Sequence, residues 1–133
     1  MAIIIDAGIF CAYGNQKDIH HKKAVRIMSE IAKNTYGVET TTDYIMDEVL
    51  GVISRKISRE KAIEVGDEIW NSMPVTCIDD HLFVKAWFLF KKSKNLSLTD
   101  CTILSLMKQC NIEYIATFDK AFKKIKRIKI VGC

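Results

Sequence analysis

Residues 2 to 6 read Ala2-Ile3-Ile4-Ile5-Asp6, three isoleucines in a row followed at once by a carboxylate. A run with no polar alternation suits a strand covered on both faces, as in a parallel sheet, and not a half-solvated antiparallel one. The acid then falls at the carboxyl end of the strand. Open parallel sheets bind ligands outside those ends, so Asp6 is placed to face a site.

The rest of the chain alternates helices with short strands. Between Asp18 and Asn34, the residues Ala24, Val25, Met28, Ile31 and Ala32 recur at helical spacing, with Lys22, Lys23, Arg26 and Lys33 off that face. Residues 38 to 42 form a second strand, and Asp43 is placed to cap a helix whose buried stripe is Ile45, Val49, Val52 and Ile53, with Glu48 beside it. Ser58 opens a helix that buries Ala62, Val65, Ile69 and Met73 and stops at Pro74. After a third strand at 75 to 78, Asp79 and Asp80 read as caps of a helix whose Leu82, Phe83, Ala86, Trp87 and Phe90 read as core. Ser97 stands three residues before Asp100 and ahead of Ile103, Leu104 and Met107, the spacing of a reciprocal cap, so Asp100 belongs to a helix's first turn. Residues 114 to 117, followed by Asp119, make a fourth strand, and 127 to 131 a fifth after a short basic turn. No two strands are joined by a two-residue hairpin, which argues for an α/β fold: a parallel sheet with helices on both faces.

Composition sets the outer bounds. At 133 residues, 49% hydrophobic and 27% charged, with one Pro and six Gly, the chain is neither disordered nor fibrous, and it reads as a single domain over 1–133. No membrane span and no basic leader with a cleavage site is visible, so a cytoplasmic protein is expected. Five cysteines without a C-x-x-C pair fit neither a disulfide framework nor a thiolate zinc site, and they read as reduced, mostly buried fillers.

Asp6, Glu48, Asp100 and Asp119 are the acids that strand ends and helix starts could bring together. Four carboxylates in one small volume repel and raise one another's pKa values unless a cation offsets them. Hard divalent ions such as Mg²⁺ take oxygen ligands, retain waters and bind phosphate oxygens, which is phosphodiester-cleaving chemistry. Taken singly, each acid is better read as a cap or a helix-dipole partner. Spacing alone does not show that they meet.

The same residues carry a family resemblance over nearly the whole chain. Ile3-Ile4-Ile5-Asp6, Asp18-Ile19-His20-His21-Lys22-Lys23-Ala24, Tyr44-Ile45-Met46-Asp47-Glu48-Val49-Leu50 with Arg55 following, Leu98-Thr99-Asp100-Cys101, and Ile115-Ala116-Thr117-Phe118-Asp119-Lys120-Ala121-Phe122 occur in the order found in PIN domains. Within that family, the chain resembles the VapC-type ribonuclease toxins. The resemblance implies a three-layer α/β/α fold with about five parallel strands in the order 3-2-1-4-5. It also implies an Mg²⁺ or Mn²⁺ site ringed by Asp6, Glu48, Asp100 and Asp119, with Thr117 supporting the pocket by hydrogen bonding. Family members cut single-stranded RNA, often as homodimers, and toxins are inhibited by a small antitoxin protein. The chain departs from the family at Gly8, where a Ser or Thr hydroxyl is usual, at Cys101 in place of Ala, and at Ala121, where some members carry a further acid.

The segment from Lys120 to Lys129 carries six cations and no acid: Lys120, Lys123, Lys124, Lys126, Arg127 and Lys129. It suits either an RNA phosphate track or a solvated face. Phe118 and Phe122 are of a type that stacks bases, with core packing favoured for Phe122. His20 and His21, adjacent on a helix, diverge and read as surface or packing residues, and Asp47 is turned ~100° from Glu48. The expectation is therefore a metal-dependent endoribonuclease, a toxin. The alternatives are a housekeeping PIN nuclease of ribosomal RNA processing and a non-catalytic module that binds RNA or protein. A phosphoacceptor receiver domain fits less well, since no adjacent acidic pair ends the first strand.

Overall fold

Ile3, Ile4 and Ile5 have no exposed surface in the computed structural model, which describes residues 1–133. They form β1 (Ala2–Ile5), flanked on one side by β2 (Val38–Thr42) and on the other by β4 (Tyr114–Ala116). With β3 (Val75–Thr76) and β5 (Lys129–Val131), all pairings are parallel and the sheet order is β3-β2-β1-β4-β5, as expected. The third strand is two residues long, shorter than the expected span 75 to 78.

Six helices complete the layers: α1 (Ala7–Tyr13), α2 (His21–Ala32), α3 (Asp43–Lys56), α4 (Arg59–Ser72), α5 (Asp80–Lys92) and α6 (Leu98–Cys110). The first of them has no counterpart in the sequence reading. α1 follows β1 without a linking loop, capped by Asp6 itself, and buries Ala7, Ile9, Phe10 and Ala12. It packs on α2 and α3, while α3 packs on α4 and α5 on α6. The chain winds outward from β1 to β3 and then crosses back to β4. The direction reverses between β1 and β4, which is where a parallel sheet opens a crevice for ligands.

Several local expectations change. Thr42, not Asp43, is the cap of α3: its hydroxyl accepts from the Ile45 amide at 3.1 Å, while Asp43 Oδ1 accepts from the Ile78 amide and so ties α3 to the segment after β3. In α2, Ile27 joins Ala24 and Ile31 in the core, and Val25 and Ala32 face outward. The largest correction is α5. Its buried line runs Leu82, Ala86 and half-buried Leu89, so the ring-bearing positions Phe83, Trp87 and Phe90 lie one step round the helix and are exposed, Trp87 to 43%. A helix that is apolar nearly all round fixes no face by pattern, and its packing partner α6 chose the one with small and aliphatic groups. The cysteines are also less buried than expected. Cys101 is buried, Cys77, Cys110 and Cys133 are exposed, and Cys11 is half-buried with its thiol pushed up to about 11 by burial and then by the Glu48 charge. No helix is long and apolar enough to cross a membrane.

Candidate active site

β1 ends at Ile5 opposite Ala116 of β4, so the residues that follow, Asp6 and Thr117, emerge side by side at the carboxyl edge of the sheet. The Asp6 amide donates to the Ala116 carbonyl at 2.9 Å, extending the ladder by one bond beyond the strand. Its carboxylate is held on both oxygens: Oδ1 accepts from the Ala7 amide at 2.8 Å and Oδ2 from the Thr117 hydroxyl at 2.7 Å. Thr117 Oγ1 in turn accepts from the Asp119 amide at 3.0 Å. One buried hydroxyl therefore positions the first acid and the backbone of the last.

Asp100 arrives from the other flank of the sheet. Ser97 Oγ accepts from the Asp100 amide and Asp100 Oδ2 accepts from the Ser97 amide, both at 3.0 Å, the reciprocal cap read from the sequence. That cap fixes the carboxylate at the amino end of α6, where the helix dipole favours negative charge. Ser97→Ala is expected to cost about 1 kcal/mol of stability, read as a lowered urea midpoint with an unchanged slope, and Ser97→Thr to recover most of it. Glu48 reaches the same edge from the exposed side of α3, beside buried Val49, and Asp119 caps a short 3-10 helix, Lys120–Lys124, with Oδ1 accepting from the Ala121 amide at 2.9 Å. That 3-10 helix replaces the expected basic turn.

Asp6, Glu48, Asp100 and Asp119 line one recess of about 410 Å³, together with Gly8, Asn95, Ser97, Thr117 and Phe118. Burial pushes the Asp6 carboxyl above the usual carboxylate range, the Thr117 and Ala7 bonds pull against it, and the charges of Glu48 and Asp119 push it up further. Asp100 is raised by burial, opposed by the Ser97 amide and raised again by the charges of Asp6 and Asp119. Glu48 is raised by desolvation and then by the charges of Asp100 and Asp119. Each of these acids thus feels at least two others, a repulsion that a bound cation would offset.

The donor chemistry fits a hard divalent ion. The lining offers carboxylate, hydroxyl and amide oxygens and neither thiolate nor imidazole. No three acids stand at the spacing of a preformed ion cage. Mg²⁺ does not need one, because it binds through one or two carboxylates and keeps its waters. Gly8 is not imposed by crowding: a Cβ there meets only Phe118 Cδ2, at 3.8 Å.

The cations sort into two groups. Lys120, Lys123, Lys124, Lys126 and Arg127 are all exposed, and none lines the recess. With the Asn95 carbonyl turned toward it, Lys124 Nζ lies 3.1 Å from that oxygen, so Lys124 reaches the rim through a residue that does line it. Arg127 turns away, donating to the Leu104 carbonyl at 3.1 Å, and lines a separate groove with Lys85, Lys92 and Lys108. The sequence reading missed Asn95, which no local pattern marks. His21 Nδ1 contacts the Ala12 carbonyl at 2.8 Å and His20 packs on Phe118, so neither histidine joins the acids. Asp47 lies in an adjoining recess with Asp43, Tyr44 and Thr99, where Glu48 is the shared wall.

Comparison with known proteins gives a consistent picture. A profile of the PIN domain family matches residues 3–128. The chain is 29% identical over 126 residues to the VapC ribonuclease of Archaeoglobus fulgidus, covering 92% of this chain and 80% of that protein. Among solved structures, the sarcin-ricin loop cleaving toxin VapC20 of Mycobacterium tuberculosis superposes with a TM-score of 0.83 at 20% identity, over 95% of this chain and 96% of that one. VapBC2 of Rickettsia felis, bound to a DNA fragment from its promoter, gives a TM-score of 0.73 at 15% identity, with 98% of each chain covered. At those identities the two structures speak for the fold.

Proposed function

The chain belongs to the PIN domain family, and from that premise we propose that it is a metal-dependent endoribonuclease, the toxin of a toxin–antitoxin module. One observation carries the reading: Asp6, Glu48, Asp100 and Asp119, drawn from four separate elements, line a single recess at the sheet's switch point. Scattered caps have no reason to converge there.

In this reading the four carboxylates would hold Mg²⁺ or Mn²⁺ between them, one or two touching the ion and the others its waters. The ion, when bound, supplies charge stabilisation at a phosphate and acidifies a coordinated water. Thr117 keeps Asp6 in one orientation, so that its free lone pairs face the recess. The Ser97 cap does the same for Asp100. A carboxylate of the set accepts the proton of the attacking water. Lys120, Lys123, Lys124 and Lys126 contact RNA phosphates, with Lys124 nearest the chemistry, and Arg127 serves them less because it is engaged elsewhere.

The ribonuclease and toxin relatives named above add an RNA substrate to the proposal, and the family resemblance adds a small antitoxin partner and a cytoplasmic setting. A groove of about 680 Å³ between α1, α2 and α4, where Phe10, Val25 and Met28 mix with His21, Lys61 and Glu68, suits an antitoxin segment of mixed polarity. Ile57, Ile63 and Trp70, exposed on and beside α4, suit a homodimer contact.

The test uses the purified protein, freed of any partner, on a panel of structured and single-stranded RNAs with Mn²⁺, Mg²⁺ or EDTA. Cutting is expected with either metal, none with EDTA, and none after a stoichiometric antitoxin is added. RNA binding that is indifferent to EDTA, with no cutting of any substrate, would instead assign a non-catalytic binding module.

A further inference from the structure

Phe118 stands between Thr117 and Asp119, so the bonds that fix the acids also fix its ring at the wall of the recess. The ring is half-buried and its surroundings are unusual. The His20 imidazole stacks on it with centroids 5.0 Å apart and planes tilted by 31°. Lys23 Nζ lies 5.8 Å from the ring centroid. Both neighbours are exposed, one turn apart at the start of α2. The backbone under His20 is held, its amide donating to Asp18 Oδ1 at 2.8 Å. The ring's edges meet glycines, Gly8 beside Cδ2 and Gly132 beside Cδ1, and Gly132 sits at φ +128, where a side chain is disfavoured. No side chain from either position covers the ring.

Phe118 packs partly on the core, yet the pair it makes with His20, with a cation beside it, stays open to solvent at the wall of an acid recess. We propose that His20, Phe118 and Lys23 form a stacking subsite for one unpaired nucleobase next to the phosphate held at the carboxylates. The base lies against the exposed His20–Phe118 stack, and the Lys23 ammonium adds attraction to the π-system and to the neighbouring phosphate. A base in a duplex is stacked on its neighbours and is not free to enter, so the subsite selects single-stranded segments or loops. The proposal rests on the reading of the recess as a phosphodiester-cleaving site.

Stacking on an aromatic side chain is worth roughly 5- to 150-fold in binding per base. A single-stranded RNA carrying 2-aminopurine, titrated with the protein in EDTA so that no cutting occurs, reads it directly. Wild type is expected to quench the fluorophore. Phe118→Leu, which keeps an apolar group against the core, and His20→Ala are each expected to weaken binding at least about 5-fold and to lose quenching. Phe118→Tyr is expected to restore both, and with Mn²⁺ present Phe118→Leu should raise KM by a similar factor. A hairpin with the fluorophore in its stem should not be quenched. Binding and quenching unmoved in both Phe118→Leu and His20→Ala would overturn the subsite, whether or not the protein cuts RNA. Quenching by wild type that is lost in those variants supports the subsite even if no RNA is cut, a result that would instead sink the cleavage reading.

Discussion

Asp6→Asn is expected to remove metal-dependent RNA cleavage, by more than about 100-fold, while leaving the fold as stable as before or more so. The lower bound follows from residues that only support a metal ligand, whose loss already costs about 10- to 100-fold. The stability follows from the site's electrostatics. Burial pushes the Asp6 carboxyl up, and the charges of Glu48 and Asp119 add to it, so the ionised form is held at a cost that an amide does not incur. Asn retains an oxygen for the Ala7 amide, and its Nδ2 donates to Thr117 Oγ1 once that hydroxyl hydrogen rotates away.

The same reasoning gives the pH dependence its sign. Asp6, Glu48 and Asp100 all lie above their ordinary values of 3.8, 4.5 and 3.8 in the folded protein. Below those values both folded and unfolded chains are protonated, and the contribution of these groups is fully present. As pH rises through the raised folded values, the unfolded chain releases its protons first, and stability is lost. Without metal, the contribution of these three groups therefore falls from acid toward neutral pH. Mn²⁺ should raise the melting temperature at pH 7.5 and do little near pH 4, because the ligands must be deprotonated to bind. Melting curves with Mn²⁺ and with EDTA at the two pH values test this, alongside cleavage assays. Asp6→Asn cutting within a few-fold of wild type, or wild type gaining as much from Mn²⁺ at pH 4 as at pH 7.5, would contradict the metal site.

Phe122→Ala should be the most damaging single truncation near the site, at about 3–5 kcal/mol. The side chain is fully buried in the main core, although it belongs to a 3-10 helix in the most basic part of the chain. Against a total stability of about 5–15 kcal/mol, that loss leaves little margin. It would also unpin the turn whose first amides are capped by Asp119, so cleavage should fail at temperatures where wild type is active. Phe122→Leu, closer in volume, should cost less than half as much. Urea denaturation measures both, and a Phe122→Ala midpoint within about 1 kcal/mol of wild type would contradict the burial.

What was legible in the sequence was local. Ile3 to Ile5 announced a doubly covered strand, and the Ser97 to Asp100 spacing announced a reciprocal cap, because each depends on neighbours a few residues away. The convergence of the acids was carried by the family resemblance and not by spacing, since Asp6 and Asp119 meet only through a ladder between distant strands. Helix α1 left no periodic signal. Its seven residues include Gly8 and lack a polar face, so it is stabilised by burying Ile9 and Phe10 and not by propensity. In α5 the apolar surplus hid the true register, and the choice between the Leu82 and Trp87 lines belonged to α6. Arg127 shows the same limit for charge: a basic run tells how many cations there are, not that one of them will be taken by the Leu104 carbonyl.

The bond from Thr117 to Asp6 spans 111 positions of chain. In a growing polypeptide Asp6 is made first, and the threonine that orients its carboxylate follows 111 positions later. Contacts of such sequence separation are also the slow ones to form in folding. Chains that stop before Tyr114 should therefore be unable to cut RNA, because Asp6 is then left without the hydroxyl that orients it.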